Sequence, residues 1–315
     1  MKQHLGVVLS LLITGGCTVA WTGSQVDPAL APASPSAILV VQTSSRTAIS
    51  FGEFVTTASA ADVVFVGEEH DDPETHFAEF ALLEGIGHQR SRVILSLEMF
   101  ERDVQPMLDD YLAGRMSEAD FLARSRPWDR YTTDYRALVM LARARGWPVL
   151  ASNVPRSIAG AVSRRGLAAL DTLPATSRAW VATDISCPHD AYFARFADEM
   201  KGHPARGGGA SEGDPAEALA LTNRFYVAQC VKDETMAESI SRAIARAGDG
   251  SIVVHFTGAF HSDYRLGTVA RTLRRNPDTR ILVITAVPVP DPSHAAIDDG
   301  ASRADYVIFT KKTVP

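Results

Sequence analysis

Two segments of this chain place a histidine three residues after a glycine, and each segment follows an apolar run typical of a β-strand. They are Gly67-Glu68-Glu69-His70 and Gly258-Ala259-Phe260-His261. Glycine lets the chain turn sharply and lets a ligand approach the backbone. Glutamate and histidine at such a turn can bind a metal ion or act as base and acid. The structural alternative is that Glu68 and His70 only cap the following helix, but the second copy of the pattern favours a site.

Two further strand-like runs also end in polar residues. VILSLEMF (93–100) carries Glu98 among apolar neighbours, and the run from Trp147 ends in Asn153-Val154-Pro155-Arg156. A carboxylate in apolar surroundings needs a partner, which is either Arg156 or a metal ion. The planar fork of an arginine binds carboxylates, including a porphyrin propionate. A purely structural ion pair between Glu98 and Arg156 is the alternative to a site.

Candidate ligand contacts also occur outside the strand ends. The aromatic side chains of PWDRYTTDY (127–135), Tyr135 among them, can form the wall of a flat hydrophobic ligand, although such residues more often serve ordinary packing. Residues 225–237 are predicted to form one helix with Gln229 and Asp233 on the same face. That face either lines a cleft or bonds to backbone groups inside the fold.

Parallel strands would bring these groups together. ADVVFVG (61–67) is a continuous apolar run, as in a strand covered on both faces. The four runs at 63–70, 93–100, 147–156 and 251–261 are strand-like and end in polar residues. If they lie parallel in one sheet, their polar ends meet at one edge, where α/β folds bind ligands. The side chains expected at that edge are those of Glu68, His70, Glu98, Asn153, Arg156 and His261.

The order of the predicted elements indicates an α/β fold. Asp72, Pro73 and Glu74 are typical of the first residues of a helix, predicted over 73–86 and ending at Gly87. A strand follows at once, which completes a βαβ unit. We therefore predict a mainly parallel central sheet flanked by helices, with helical insertions after the third and fourth strands.

The N-terminus has the features of an export signal. Lys2 is followed by the short apolar run LGVVLSLLIT (5–14), which is typical of a secretory signal and too short to span a bilayer. Small residues before Cys17 resemble a bacterial lipoprotein signal, which would make Cys17 the lipidated first residue. Cleavage after Ala20 is the alternative. We predict a signal peptide at 1–16, a Pro/Ala/Ser-rich tether at 17–36 and one domain at 37–315.

Export affects the other two cysteines. In an oxidising compartment, Cys187 and Cys230 are expected to form a disulfide. Two free buried thiols are the alternative. Neither cysteine has the spacing of a zinc ligand.

Composition and missing motifs exclude several classes of protein. The 315 residues are 46% hydrophobic and 22% charged, enough for one sizeable core. The net charge of −6 and the lack of a basic stripe argue against nucleic-acid binding. The sequence has no G-x-S-x-G, H-E-x-x-H, Walker or G-x-G-x-x-G motif, which argues against serine hydrolases, zincins, P-loop enzymes and dinucleotide enzymes.

The chain resembles the ChaN-like haem-binding uptake family of the Tiki/TraB/erythromycin-esterase superfamily. The matching stretches are VGEEHDDPETH, LSLEMFERDVQPMLDDYLAG, SNVPR, AQCVKDETMA and GAFH. The resemblance implies that the inherited site positions are Glu68, His70, Glu98, Arg156 and His261. It also implies a bacterial lipoprotein that binds haem in iron acquisition, whereas more distant relatives are metal-dependent proteases or esterases.

Two functions and one structural role follow as expectations. The first is a lipid-anchored haem-binding protein of the bacterial cell envelope, on its periplasmic or outer-membrane face, with Arg156, Asn153, Tyr135 and Gln229 near the cofactor. The second is a hydrolase with a divalent metal ion held by His70 and His261, in which Glu68 or Glu98 is ligand or base. The third is an envelope scaffold with a vestigial site. Whether the chain is an enzyme, which Tyr or His is the axial ligand of haem, and whether it forms a homodimer stay open.

Overall fold

The computed structural model describes residues 38–202, 215–248, 250–296 and 302–313. The predicted signal peptide, Cys17 and the tether lie outside these residues. Within the described ranges, no helix has both the length and the apolar character needed to cross a membrane.

The strands of the described residues form a single eight-stranded sheet. Its strands are β1 (Ile38–Gln42), β2 (Thr47–Ile49), β3 (Val63–Glu68), β4 (Val93–Glu101), β5 (Val149–Asn153), β6 (Ile252–Gly258), β7 (Ile281–Val289) and β8 (Tyr306–Lys311). Their spatial order is β2-β1-β8-β7-β3-β6-β4-β5. All neighbours from β8 to β5 are parallel, and β1 is antiparallel to β2 and β8. The predicted mainly parallel sheet is confirmed.

Helices cover both faces of this sheet. They are α1 (Phe51–Ser59), α2 (Pro73–Gln89), α3 (Gln105–Leu112), α4 (Glu118–Ser125), α5 (Arg136–Arg145), α6 (Arg156–Arg165), α7 (Ala168–Asp171), α8 (Ala175–Arg178), α9 (Ala191–Gly202), α10 (Pro215–Ala247) and α11 (Gly267–Arg275). Helices α1 to α5 pack with one face in the largest apolar cluster, whereas α10 and α11 pack on the other face. The predicted helical insertions are α3 to α5 after β4 and α6 to α10 after β5.

Burial of the central strands on both faces explains their continuous apolar sequences. In β3, Val64 and Val66 belong to the cluster under α1 and α2, whereas Val63 and Phe65 belong to the cluster under α10 and α11. All four side chains are fully buried. Successive side chains of a strand point to opposite faces, so a strand between two helical layers is apolar at most successive positions rather than at every second one.

Helix α2 begins where the sequence predicts, but it ends later than predicted. The Asp72 side chain accepts a hydrogen bond from the backbone N–H of Thr75 at 2.9 Å, which confirms the predicted N-cap. The helix predicted to end at Gly87 continues to Gln89. A Cβ at Gly87 would lie 2.2 Å from the ring of Trp147, so this glycine gives space to an aromatic neighbour.

Strand β2 was not expected from the sequence. Residues 47–49 pair with β1 as a short antiparallel hairpin that precedes α1. The strand has only three residues, two of them exposed, and therefore lacks an apolar signal.

The predicted disulfide is present. Cys187 and Cys230 are bonded with their Cα atoms 5.7 Å apart. The bond links the segment before α9 to the middle of α10.

Candidate functional site

The predicted convergence of strand ends is confirmed. Strands β3, β6, β4 and β5 are consecutive and parallel, so their carboxyl ends share one edge of the sheet. Glu68 ends β3, Asn153 ends β5, and His261 follows β6 in a single 3₁₀ turn. A larger groove of 750 Å³ lies near the starts of β4 and β5, and none of the predicted site residues lines it.

His70 is oriented by a carboxylate and remains open on one side. Its Nδ1 donates a hydrogen bond to Glu68 Oε1 at 2.6 Å, and its ring packs edge-on against Trp128. The Tyr135 hydroxyl donates to the same Glu68 oxygen at 2.7 Å. Among the described residues, no hydrogen-bond partner is found for His70 Nε2, and 41% of the side chain is exposed. The imidazole therefore presents Nε2 as a ligand atom.

The charges of this group are set by burial and by the hydrogen bonds. Burial acts to raise the pKa of Glu68, but the hydrogen bond from His70 and the nearby imidazoles lower it overall. Burial acts to lower the pKa of His70, but the Glu68 carboxylate raises it overall. Burial, followed by the Glu68 charge, raises the pKa of Tyr135 far above its ordinary value. Tyr135 therefore stays a neutral hydrogen-bond donor that holds Glu68 in place.

A cavity of 270 Å³ opens beside this histidine. Its lining residues are His70, Trp128, Asp129, Arg130, Tyr135 and Arg156. A Cβ added to Gly258 would lie 2.8 Å from His70 Nε2. The glycine of the second G-x-x-H segment therefore leaves room for the histidine of the first.

His261 lies in a buried group of charges. Its Nδ1 donates to Asp233 Oδ1 at 2.7 Å, and its Nε2 faces Glu98 Oε1 at 3.3 Å. The other Glu98 oxygen accepts hydrogen bonds from the Thr257 hydroxyl at 2.6 Å and the Gly258 N–H at 2.9 Å. Both ring nitrogens of His261 are therefore engaged by carboxylates, and only 6% of the side chain is exposed.

This arrangement keeps His261 protonated. Burial acts to lower its pKa, but Glu98 and Asp233 raise it to about 10. Burial acts to raise the pKa values of Glu98 and Asp233, but His261 brings both below their ordinary values. The group is a buried imidazolium between two carboxylates, and its geometry does not favour His261 as a metal ligand.

Helix α10 supplies the residues that face His261. Gln229 lies one helical turn before Asp233, and its Nε2 lies 3.1 Å from His261 Nε2. Asp233 also accepts hydrogen bonds from the hydroxyls of Thr268 and Tyr192, each at 2.8 Å. The predicted shared face of Gln229 and Asp233 is confirmed, and it contacts the second G-x-x-H histidine.

The raised pKa of His261 predicts a fall in stability at alkaline pH. Its ordinary pKa is 6.5 and its folded pKa is about 10, so its contribution to stability is complete below pH 6.5 and is lost as the pH rises through 10. We expect the free energy of unfolding to decline across this range, with a smaller slope in a His261→Gln variant. Urea unfolding at several pH values measures both slopes. Equal slopes in the two proteins would contradict the assignment of this pH dependence to His261.

The alternative pairing of Glu98 with Arg156 is wrong. Arg156 Nε donates instead to Glu101 Oε1 at 2.6 Å, and 59% of its side chain is exposed. A register irregularity between Leu97 and Glu101 interrupts the pairing of β4 with β5. Such a bulge changes the direction in which side chains leave a strand. Arg156 consequently borders the His70 cavity rather than the His261 group.

The Asn153 side chain forms hydrogen bonds with backbone atoms at both ends of its amide group. Its side-chain N–H donates to the Glu98 carbonyl at 3.1 Å, and its side-chain oxygen accepts from the Val154 N–H at 2.8 Å. Both ends of the amide are bonded to backbone, and the residue is 7% exposed. Its role near a cofactor stays a prediction.

Sequence reasoning missed His76, which lies among buried carboxylates. Its Nδ1 lies 3.0 Å from Glu79 and 3.4 Å from Glu68, and its Nε2 lies 3.5 Å from Asp134. Burial acts to lower its pKa, but these carboxylates raise it to about 9. The available signal was a histidine and a glutamate three residues apart on α2, among buried residues that are mostly apolar.

Comparison with known proteins gives the same fold and the family. Residues 54–272 match the family described as haem-binding uptake, Tiki superfamily, ChaN. A solved structure described as cofacial heme binding to ChaN of Campylobacter jejuni covers 87% of this chain and 97% of that chain, with a TM-score of 0.63 and 17% identity. At this identity the likeness shows a shared fold.

A curated relative comes from a plant. It is the chloroplastic protein RETICULATA-RELATED 5 of Arabidopsis thaliana, 24% identical over 242 residues, or 72% of this chain. The matched region covers 31% of that relative's length. The family match over residues 54–272, which include strands β3 to β6 and the residues at their carboxyl ends, is decisive: the chain belongs to the ChaN haem-binding uptake family of the Tiki superfamily.

Proposed function

We propose that this chain binds haem beside His70 and serves haem uptake as a lipid-anchored protein of the bacterial cell envelope. Membership of a haem-binding uptake family supports the ligand. The structural neighbour from Campylobacter jejuni is described as binding heme cofacially. The observation that carries the proposal is a cavity-lining imidazole, 41% exposed and fixed by a carboxylate, whose Nε2 has no hydrogen-bond partner among the described residues.

His70 has the environment of a haem ligand. A histidine that ligates a metal commonly donates its other ring N–H to a carboxylate, which fixes the ring and increases its basicity. Glu68 accepts that hydrogen bond here at 2.6 Å. His70 would hold the haem, which would supply an iron centre of the kind that imidazole commonly binds. Tyr135 is a positioning residue, because its hydroxyl is used by Glu68.

The side chains that line the rest of the cavity suit one part of a flat ligand that carries acidic groups. Trp128 provides an aromatic wall next to His70. Arg130 and Arg156 are partly exposed cations on the cavity rim, where a propionate can reach them. The volume of 270 Å³ is below the range of about 300–1,000 Å³ in which pockets enclose drug-sized ligands. A haem would extend beyond it, so we propose that a second copy of the chain covers the exposed face.

The envelope location rests on the N-terminal sequence. The apolar run at 5–14 and Cys17 match an export signal with a lipidation site. The disulfide between Cys187 and Cys230 supports an oxidising compartment. Labelling with a fatty acid, compared between wild type and Cys17→Ser, tests the anchor. Equal labelling of both proteins would exclude it.

Haem titration tests the proposal. With the domain from residue 37 onward, we expect a saturable shift of the Soret band. His70→Ala is expected to abolish the shift, and Tyr135→Phe to weaken affinity roughly 10-fold to 100-fold, as is typical for residues that orient a ligand. His294→Ala is the control, because that side chain is 83% exposed and distant in sequence from the site. Unchanged affinity in His70→Ala would refute the site.

The alternative is a metal-dependent hydrolase that uses His70 and His261. Their position at one edge of the sheet supports it, but the two carboxylates that engage His261 oppose it. Metal-dependent hydrolysis of ester or peptide substrates, lost in both His70→Ala and His261→Ala, would support the hydrolase. Haem binding without such hydrolysis would support the uptake function.

A further inference from the structure

Three ligand-type side chains meet on the side of Glu68 that faces away from His70. They belong to Glu68, His76 and Glu79, which are 2%, 4% and 1% exposed. One donor atom from each lies within 4.8 Å of the other two. Glu68 comes from the end of β3 and the other two from α2, so two rigid elements hold the group.

The spacing fits coordination of one ion. His76 Nδ1 lies 3.4 Å from Glu68 Oε2 and 3.0 Å from Glu79 Oε2. Tetrahedral ligands at about 2.0–2.1 Å from a metal ion lie about 3.3 Å from one another. The two nitrogen–oxygen distances therefore need a change of only a few tenths of an ångström.

The orientation of His76 is also suitable. Its Nε2 lies 3.2 Å from the backbone oxygen of His70, so a proton on Nε2 has an acceptor there. This tautomer leaves the lone pair on Nδ1, directed at the two glutamates. A backbone carbonyl is a common partner for the second nitrogen of a metal-bound histidine.

Two buried oxygen atoms point to a missing partner. Among the described residues, Glu68 Oε2 and Glu79 Oε1 have no hydrogen-bond donor. A buried carboxylate oxygen without a donor is costly, and such atoms commonly indicate an ion or water. Both oxygens belong to the three residues just described, which distinguishes this group from an ordinary acidic cluster.

We propose that Glu68, His76 and Glu79 form a binding site for a divalent first-row transition metal ion such as Zn²⁺ or Fe²⁺. Two carboxylates balance the charge of the ion in a buried place, and a mixed set of one nitrogen and two oxygens suits these metals. Calcium is disfavoured because it requires six to eight oxygen ligands. A water molecule would complete a four-coordinate site.

The proposed metal site is separate from the proposed haem site, and the two would be coupled through Glu68, which belongs to both. Glu68 offers Oε2 to the metal ion while its Oε1 accepts the hydrogen bonds from His70 and Tyr135. A bound ion would fix the Glu68 carboxylate and thereby the ring of His70. The ion is assayed without haem, so failure of either proposal leaves the other intact.

Zinc titration of the haem-free protein tests the site. We expect one equivalent of Zn²⁺ to remain after dialysis, measured by elemental analysis, and at least about tenfold weaker binding in Glu79→Gln, which keeps the shape of the side chain. His76→Ala is the second variant. Glu84→Gln, on the same helix, and His261→Ala are expected to retain zinc. Melting curves of all variants establish folding.

Two results would overturn the proposal. One is wild-type protein that retains no more zinc than folded Glu79→Gln. The other is loss of zinc in His261→Ala with retention in Glu79→Gln, which would place the ion at the paired G-x-x-H histidines instead.

Discussion

Replacing Asp233 with alanine is expected to lower the free energy of unfolding by about 3–5 kcal/mol, the usual cost of leaving a buried charge without its partner. The Asp233 carboxylate is fully buried and accepts hydrogen bonds from His261, Tyr192 and Thr268. Alanine would leave three buried donors without an acceptor, one of them on an imidazolium. Urea unfolding near neutral pH measures the loss.

Asp198→Ala is the matched control for this substitution. Its side chain is 72% exposed and pairs with Lys201 on the surface of α9. Substitutions of this kind usually change stability by less than about 0.5 kcal/mol. A loss below about 1 kcal/mol for Asp233→Ala would show that the buried charges are not coupled as the distances indicate.

Gly267→Ala is expected to destabilise the fold by about 2–5 kcal/mol, because overpacking and a left-handed backbone both oppose a side chain there. Its φ is +50°, and an added Cβ would lie 2.4 Å from the backbone oxygen of His261. The same Cβ would lie 3.1 Å from Asp233 Oδ1. The variant therefore also tests whether the start of α11 holds His261 against Asp233.

Gly52→Ala is the control for the glycine substitution. Gly52 lies in α1, and an added Cβ would meet no atom within 4 Å. Alanine in such a position is expected to be neutral or to stabilise by about 0.4–1 kcal/mol. Equal chemical unfolding curves for the two glycine variants would contradict the role given to Gly267.

Sequence periodicity was sufficient to predict which strands carry the site. The runs at 63–70, 93–100 and 251–261 are mostly apolar and carry polar residues toward their ends, a pattern that follows from burial on two faces. Parallel pairing then places Glu68 and His261 at one edge by topology alone. Such long-range convergence is predictable because strand direction, rather than side-chain detail, determines it.

The pairing of individual charges was not predictable. Glu98 and Glu101 lie three residues apart in one strand, yet the first contacts Thr257 and the second binds Arg156. An irregular register between β4 and β5 separates them, and nothing in the apolar pattern indicates where a bulge occurs. The error about Arg156 came from assuming a regular strand.

The two G-x-x-H histidines differ in exposure and in hydrogen-bond partners, although they share one sequence motif. His70 is 41% exposed beside a cavity, whereas His261 is 6% exposed between Asp233 and Glu98. The difference arises because α10 packs its Asp233 face over the turn after β6. Burial of His261 agrees with a structural role, and the exposure of His70 supports the ligand-binding role that we propose for it.

Resonance Raman spectroscopy of the haem-loaded, reduced protein tests most directly whether His70 ligates the iron. We expect an iron–imidazole stretching band in the wild type that disappears in His70→Ala and returns when free imidazole is added. The same band in untreated His70→Ala, or a tyrosinate signature in the oxidised wild type, would contradict ligation by His70.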